Sequence, residues 1–243
     1  MNPHMFHIKI CGVTTPADAR LAAEAGADAI GLNFVASSPR WIDAATARAI
    51  AAALPAGVLK VGVFAGMPAD EIRRIAAEAA LDAIQLHGLL AGDASATDPP
   101  KRCAELAGLP VIRAVRLEPH EADPLAAARA WIAAARAAGN PPAMAIVDAA
   151  VAVSRETGAT ALGGTGATVD WNALRSAAPL GIPVALAGGL TPENVALAIR
   201  ESGCRAVDTA SGVEKAPGRK DPVKVRAFVK AARAALGSST QGG

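Results

Sequence analysis

Ala187-Gly188-Gly189-Leu190 and Ala210-Ser211-Gly212-Val213-Glu214 are glycine-rich turns, each directly after a short apolar run. A third, Gly163-Gly164-Thr165-Gly166, precedes them at a closely similar interval. Successive turns of this kind read as the strand-to-helix junctions of parallel βα units. They bring backbone N–H groups together, and clustered N–H groups are what a phosphate monoester needs. In an eight-stranded βα barrel, the loops after strands 7 and 8 are the usual phosphate site. The end of the chain therefore points to a phosphorylated small molecule before any catalytic residue is considered.

Working outward, the same rhythm covers the chain. Apolar runs at Ile8–Cys11, Ala29–Phe34, Leu59–Phe64, Ala83–Leu86, Val111–Val115, Ala143–Val147, Pro183–Leu186 and Ala206–Thr209 have strand character. Segments at Pro16–Ala25, Ala44–Ala53, Pro68–Ala80, Pro124–Ala138, Pro192–Glu201 and Pro222–Leu236 carry apolar residues at helical spacing. Thr15-Pro16, Thr191-Pro192 and Asp221-Pro222 pair a capping side chain with a first-turn proline. Gly26 and Gly203 read as helix stops that lead straight into strands. Strict alternation of eight strands with helices predicts an α/β fold, a single-domain (βα)8 barrel over residues 1–236 with a polar tail at 237–243. The least regular regions, Leu89–Pro100 and Ala149–Leu162, read as loops with a short helix at most.

Composition narrows the function classes. Of 243 residues, 52% are apolar, enough for a large core. A net charge of +2 and the absence of tyrosine leave no basic, aromatic-studded surface for nucleic acid. No run is long and apolar enough to suggest a membrane span, and Met1–His7 lacks the form of a signal peptide. Three widely spaced cysteines form no disulfide framework, which suits a cytoplasmic protein. Outer-helix surfaces leave monomer and homodimer equally open.

A barrel's catalytic face lies just past its strand C-termini. Lys9, Cys11, Asn33, the Ser37-Ser38-Pro39-Arg40 loop, Gln85, His87, Arg113, Arg116, Asp148 and Asp170 fall there. A strand cysteine is ordinarily an inert buried thiol. Cys11, however, ends its strand beside Gly12, and Lys9 lies two residues earlier on the same face. An ammonium so placed would lower the thiol pKa and favour the thiolate that a general base needs. Asp148 either caps the next segment or, partly buried at the rim, donates a proton. His87 reads first as a structural hydrogen-bonding group. Arg40 is either a solvated turn residue or a planar fork for a carboxylate. Cys103 and Cys204 read as structural, and His4 and His7 belong to no spaced metal-ligand set.

Taken in order, Lys9-Ile10-Cys11-Gly12-Val13-Thr14, Gly31-Leu32-Asn33-Phe34, Ser38-Pro39-Arg40, Val61-Gly62-Val63-Phe64, Gln85-Leu86-His87-Gly88, Gly163–Gly166 with Asp170-Trp171, Leu186–Leu190 with Pro192–Val195, and Ser211–Glu214 with Pro217–Asp221 resemble phosphoribosylanthranilate isomerase of tryptophan biosynthesis. Each tetrapeptide alone is weak. The ordered set spans nearly the whole chain and is highly specific.

The resemblance implies a TIM barrel catalysing an Amadori rearrangement, the third step from chorismate to tryptophan. N-(5-phosphoribosyl)anthranilate would become 1-(2-carboxyphenylamino)-1-deoxyribulose 5-phosphate, with no metal or organic cofactor, because the imine is itself the electron sink. It further implies Cys11 as general base and Asp148 as general acid. Arg40 would engage the anthranilate carboxylate and Asp170 the anthranilate amine, with His87 also at the substrate. Phosphate would sit on N–H groups of Gly188, Gly189, Ser211 and Gly212, near Gly166. Two departures concern the lid over the site: the long segment Ala149–Leu162, ending in Leu162 where an aromatic is usual, and Val169 in place of phenylalanine. Indole-3-glycerol-phosphate synthase would call for an early catalytic lysine and glutamate. A dual-substrate aminoaldose isomerase would use two aspartates, and Cys11 disfavours it. A non-catalytic phosphate-ligand binder would have no need of both Cys11 and Asp148.

Overall fold

Eight parallel strands close into a barrel in chain order. They are β1 (Ile8–Ile10), β2 (Ala29–Asn33), β3 (Leu59–Phe64), β4 (Ala83–Leu86), β5 (Val111–Arg116), β6 (Met144–Asp148), β7 (Val184–Ala187) and β8 (Val207–Thr209). The computed structural model describes residues 4–88, 97–117, 121–149 and 171–238. Among these, the helices are α1 (Pro16–Ala25), α2 (Ala44–Ala52), α3 (Ala69–Glu78), α4 (Lys101–Glu105), α5 (Ala126–Ala137), α6 (Trp171–Ser176), α7 (Val195–Ser202) and α8 (Pro222–Ser238). A small antiparallel hairpin, β9 (Glu214–Ala216) and β10 (Arg219–Lys220), follows β8.

Local chemistry sets most boundaries. Thr15 caps α1 by accepting from the Asp18 N–H, and Pro16 fills the first helical position where no intrahelical donor is needed. Gly26 ends α1 at φ 97°, and its N–H closes onto the Ala22 and Ala23 carbonyls. Asp221 caps α8 through bonds from the Val223 and Lys224 N–H groups. The largest shift from an expected helix boundary is at α7, which begins at Val195, not Pro192. Asn194 accepts from the Thr191 N–H and donates to the Gly189 carbonyl, so its side chain holds residues 191–194 as a turn. Cys11 lies just beyond β1, yet its N–H still donates to the Thr209 carbonyl and continues the ladder.

Alternation along the strands divides the core in two. Ile8, Ile10, Ile30, Leu32, Phe64 and Ile84 join the layer between strands and helices. Their alternate neighbours Ala29, Val61, Ala83, Ile112, Met144 and Ala185 cluster separately with Phe6 inside the barrel. Small alanines alternate with larger chains there because eight strands enclose little space. The closing register pairs Lys9 with Asp208 and Ile10 with Thr209, which brings the first and last strands' polar residues side by side.

Candidate active site

A cavity of about 480 Å³ opens at the C-terminal ends of the strands. Cys11 from β1, Arg40 from the loop after β2, His87 after β4 and Asp148 from β6 all line it. Gly188, Gly189 and Ser211 line the same mouth from the turns after β7 and β8. Val63, Ala114 and Ile146 add apolar lining. Gly212 lies just behind, in the 3₁₀ turn Ser211–Val213. A methyl group on Gly212 would fall 1.8 Å from the Leu190 carbonyl oxygen, so the two turns pack backbone against backbone. Thr209 fixes that contact by donating from Oγ1 to the same carbonyl at 2.7 Å. Gly166 and Asp170, with the whole Gly163–Gly166 turn, lie outside the described residues.

The sequence expectation that Lys9 and Cys11 share a face holds. Nζ of Lys9, wholly buried, donates to Asp208 Oδ1 at 2.9 Å. Burial alone would push this ammonium down, but Asp208 and the Cys11 sulfur outweigh it and hold Lys9 above the ordinary lysine value. A cation thus stands beside the sulfur. Gly31 makes room for the pair: a methyl group there would sit 2.6 Å from Sγ of Cys11 and 3.1 Å from Nζ of Lys9.

His87 lines the cavity and is exposed. The desolvating rim lowers its pKa below the ordinary 6.5, and the carboxylate of Asp148 opposes that shift without reversing it. The ring is therefore neutral at pH 7. Its Nδ1 lies 3.4 Å from Nε2 of Gln85, whose own Oε1 is buried with no hydrogen-bond partner. Arg40 directs its fork to Glu214, with Nε at 2.8 Å from Oε1 and Nη2 at 2.7 Å from Oε2. Among the described residues, no three His, Cys, Asp or Glu side chains converge as metal ligands. No described helix is long and apolar enough to cross a membrane.

Two rim expectations change. Arg113 does not reach the mouth; it turns outward from β5 and is fully buried against α5, 4.7 Å over the Trp131 ring. It donates to the Leu86 and Gly88 carbonyls and faces Asp98 at 3.6 Å. Burial lowers it to about 10, with Asp98 opposing. Arg116 ends β5 and is exposed, and it too is absent from the cavity lining. Cys103 and Cys204 are buried, and desolvation pushes the Cys103 thiol up to about 11, as befits a structural group.

Sequence reasoning gave no role to Asp208, Glu214, Lys220 or Asp98. Asp98 accepts from the Gly66 and Gly88 N–H groups and so ties the loops after β3 and β4 together. A lysine early in strand 1 and an acid in strand 8 were the available signal for the Lys9–Asp208 pair, since barrel closure makes those strands neighbours.

A family model described as N-(5'phosphoribosyl)anthranilate (PRA) isomerase matches residues 8–231. N-(5'-phosphoribosyl)anthranilate isomerase of Myxococcus xanthus (strain DK1622) is 41% identical over 226 residues, covering 93% of this chain and 95% of the relative. The crystal structure of phosphoribosyl anthranilate isomerase from Thermotoga maritima superposes with a TM-score of 0.76 at 33% identity, covering 95% of this chain and all of that one. A phosphoribosyl anthranilate isomerase in complex with reduced 1-(o-carboxyphenylamino)-1-deoxyribulose 5-phosphate gives a TM-score of 0.73 at 31% identity, with the same coverage. These matches run through every rim strand that builds the cavity, and the chain belongs to the N-(5'-phosphoribosyl)anthranilate isomerase family.

Proposed function

We propose that this chain isomerises N-(5-phosphoribosyl)anthranilate to 1-(2-carboxyphenylamino)-1-deoxyribulose 5-phosphate, with Cys11 as general base and Asp148 as general acid. The observation that carries the assignment is their placement: ends of strands 1 and 6, facing one cavity whose rim also holds the glycine turns after strands 7 and 8. An acid and a base on different strands can address a bound sugar at two positions at once.

The residues would divide the work as follows. Asp148, as the carboxylic acid, gives its proton to the furanose ring oxygen while the C1′–O bond breaks and the anilino nitrogen forms a Schiff base. Cys11, as thiolate beside the Lys9 ammonium, takes the C2′ proton, and the electron pair moves to the nitrogen to give an enolamine. The enolamine tautomerises to the ketone, and a net proton transfer from the thiol back to the carboxylate restores the resting pair. Arg40 holds the ring carboxylate and the apolar lining holds the ring. N–H groups of Gly188, Gly189, Ser211 and Gly212 hold the 5-phosphate, with Gly166 nearby and Asp170 toward the amine. His87, neutral at pH 7, can exchange a hydrogen bond with a sugar hydroxyl without adding charge.

Loss of phosphoribosylanthranilate fluorescence with purified protein tests the activity. Cys11→Ser lowers turnover by about 10²–10⁴-fold while an aminoketose phosphate analogue still binds. Wild-type turnover in that variant removes Cys11 as base. Asp148→Asn falls comparably, and a pH–rate profile that keeps the limb assigned to the acid removes Asp148 from that role.

A further inference from the structure

Glu214 closes the glycine-rich turn after β8 and opens the β9–β10 hairpin, and its side chain is only 4% exposed. It nonetheless accepts four hydrogen bonds. Oε1 accepts from Arg40 Nε, from Lys220 Nζ at 2.9 Å and from the Gly218 N–H at 3.3 Å, while Oε2 accepts from Arg40 Nη2. Lys220, fully enclosed, spends its other hydrogens on the carbonyls of Cys11 at 2.6 Å and Ala210 at 3.1 Å. One ammonium therefore ties the end of strand 1, the end of strand 8 and Glu214 together.

The hairpin is pegged to the neighbouring loops as well. Thr14 donates from Oγ1 to the Gly218 carbonyl at 2.6 Å, and a methyl group on Gly218 would come within 3.2 Å of the Pro39 carbonyl. The Arg40 stem lies directly over Gly12, where a Cβ would meet Arg40 Cδ at 2.3 Å. Gly12 has φ +68°, so close approach and backbone conformation both demand glycine there.

A guanidinium has two paired-donor edges. Nε and Nη2 form the side edge, and Nη1 with the second Nη2 hydrogen forms the end edge. Glu214 takes the side edge. Among the described residues Glu214 alone takes hydrogen bonds from the Arg40 guanidinium, which leaves the end edge, with its two parallel N–H bonds, on a residue that lines the cavity. Arg40, Glu214 and Lys220 together carry one net positive charge, which a ligand carboxylate would balance.

We infer that Glu214 is the positioning residue that presents the end edge of Arg40 as a carboxylate reader, with Lys220 anchoring Glu214 to strand 1. This rests on the reading of Arg40 as the contact to the substrate's ring carboxylate. It adds that selectivity for a carboxylated over an uncarboxylated anilino sugar phosphate is set by the hairpin after strand 8. Arg40 alone, on its flexible stem, would not set it.

The test compares two inhibitors by calorimetry: the reduced aminoketose 5-phosphate with its ring carboxyl, and the same compound built on aniline. A bidentate charge-assisted pair gives the wild type about a 100-fold preference for the carboxylated ligand. Glu214→Gln cuts that preference to about tenfold or less and raises KM for the carboxylated substrate. Glu214→Asp recovers part of the preference. A ratio of two affinities on one preparation is unaffected by the fraction of folded protein, and Glu214→Asp is read the same way if Glu214→Gln does not fold. An undiminished ratio in both variants overturns the proposal. If Arg40→Ala also keeps the ratio, the reading of Arg40 fails; if it loses the ratio while the Glu214 variants keep it, only the role of Glu214 fails.

Discussion

Replacing Gly31 by alanine would put a methyl group 2.6 Å from Sγ of Cys11, 3.0 Å from the Cys11 Cα and 3.1 Å from Nζ of Lys9. Little there can yield. The Cα is backbone, in a residue whose N–H is bonded to the Thr209 carbonyl, and Lys9 is buried and held by Asp208. The strand must shift or the sulfur must turn away. Overpacking of this kind costs about 1–3 kcal/mol. At about 2–4 °C per kcal/mol for a chain of this size, Tm falls by roughly 2–12 °C. The larger effect falls on turnover, because displacing a reacting group by about 1 Å can cost about 10²-fold. Thermal melts followed by circular dichroism give the first quantity, and the fluorescence assay at a temperature where the variant is folded gives the second. A folded Gly31→Ala enzyme with kcat within about twofold of wild type would refute both the tight placement of Cys11 and its role as base.

Asp208→Asn leaves the Lys9 ammonium buried without its counter-charge, a change that costs about 3–5 kcal/mol. Lys9 sits above its ordinary 10.5 in the folded protein, so the pair's contribution is fully present below that value and fades only as pH rises through it. The whole loss therefore shows in melts at pH 7, and a Tm unchanged there contradicts it. Glu214 has the opposite sign. Burial would raise it, but bonds from Arg40 and the charge of Lys220 hold it below the ordinary 4.5. Its contribution is full above 4.5 and lost as pH falls through the lowered value, so the Tm gap between wild type and Glu214→Gln narrows from pH 6 to pH 3. A gap constant over that range counts against an ionised Glu214.

The strands were legible because a buried parallel strand must be a short apolar run, and each run found a strand within a residue or so of its expected ends. Capped helices were legible for an equally local reason at Thr15-Pro16, Gly26 and Asp221. The start of α7 was not, because Asn194 competes with the helix for the same backbone groups. Cys11, Arg40, His87 and Asp148 could be singled out because the catalytic face of a barrel follows strand ends, and strand ends are visible in sequence. Arg113 could not be sorted from them, since one residue of register along β5 decides between the mouth and the α5 layer.

The chain's order of apolar runs, caps and glycine turns by itself determined the βα alternation and the rim positions, because those depend on neighbours a few residues apart. Only the tertiary structure decided the charge partners. Lys9 lies 199 residues from Asp208 and Arg40 lies 174 from Glu214. Buried charges must find counter-charges, but which one each finds is set by closing strand 8 onto strand 1 and folding the β9–β10 hairpin over the loop after strand 2. The turns at Gly188-Gly189 and Ser211-Gly212 thus announced a rim, and barrel closure supplied the electrostatics around it.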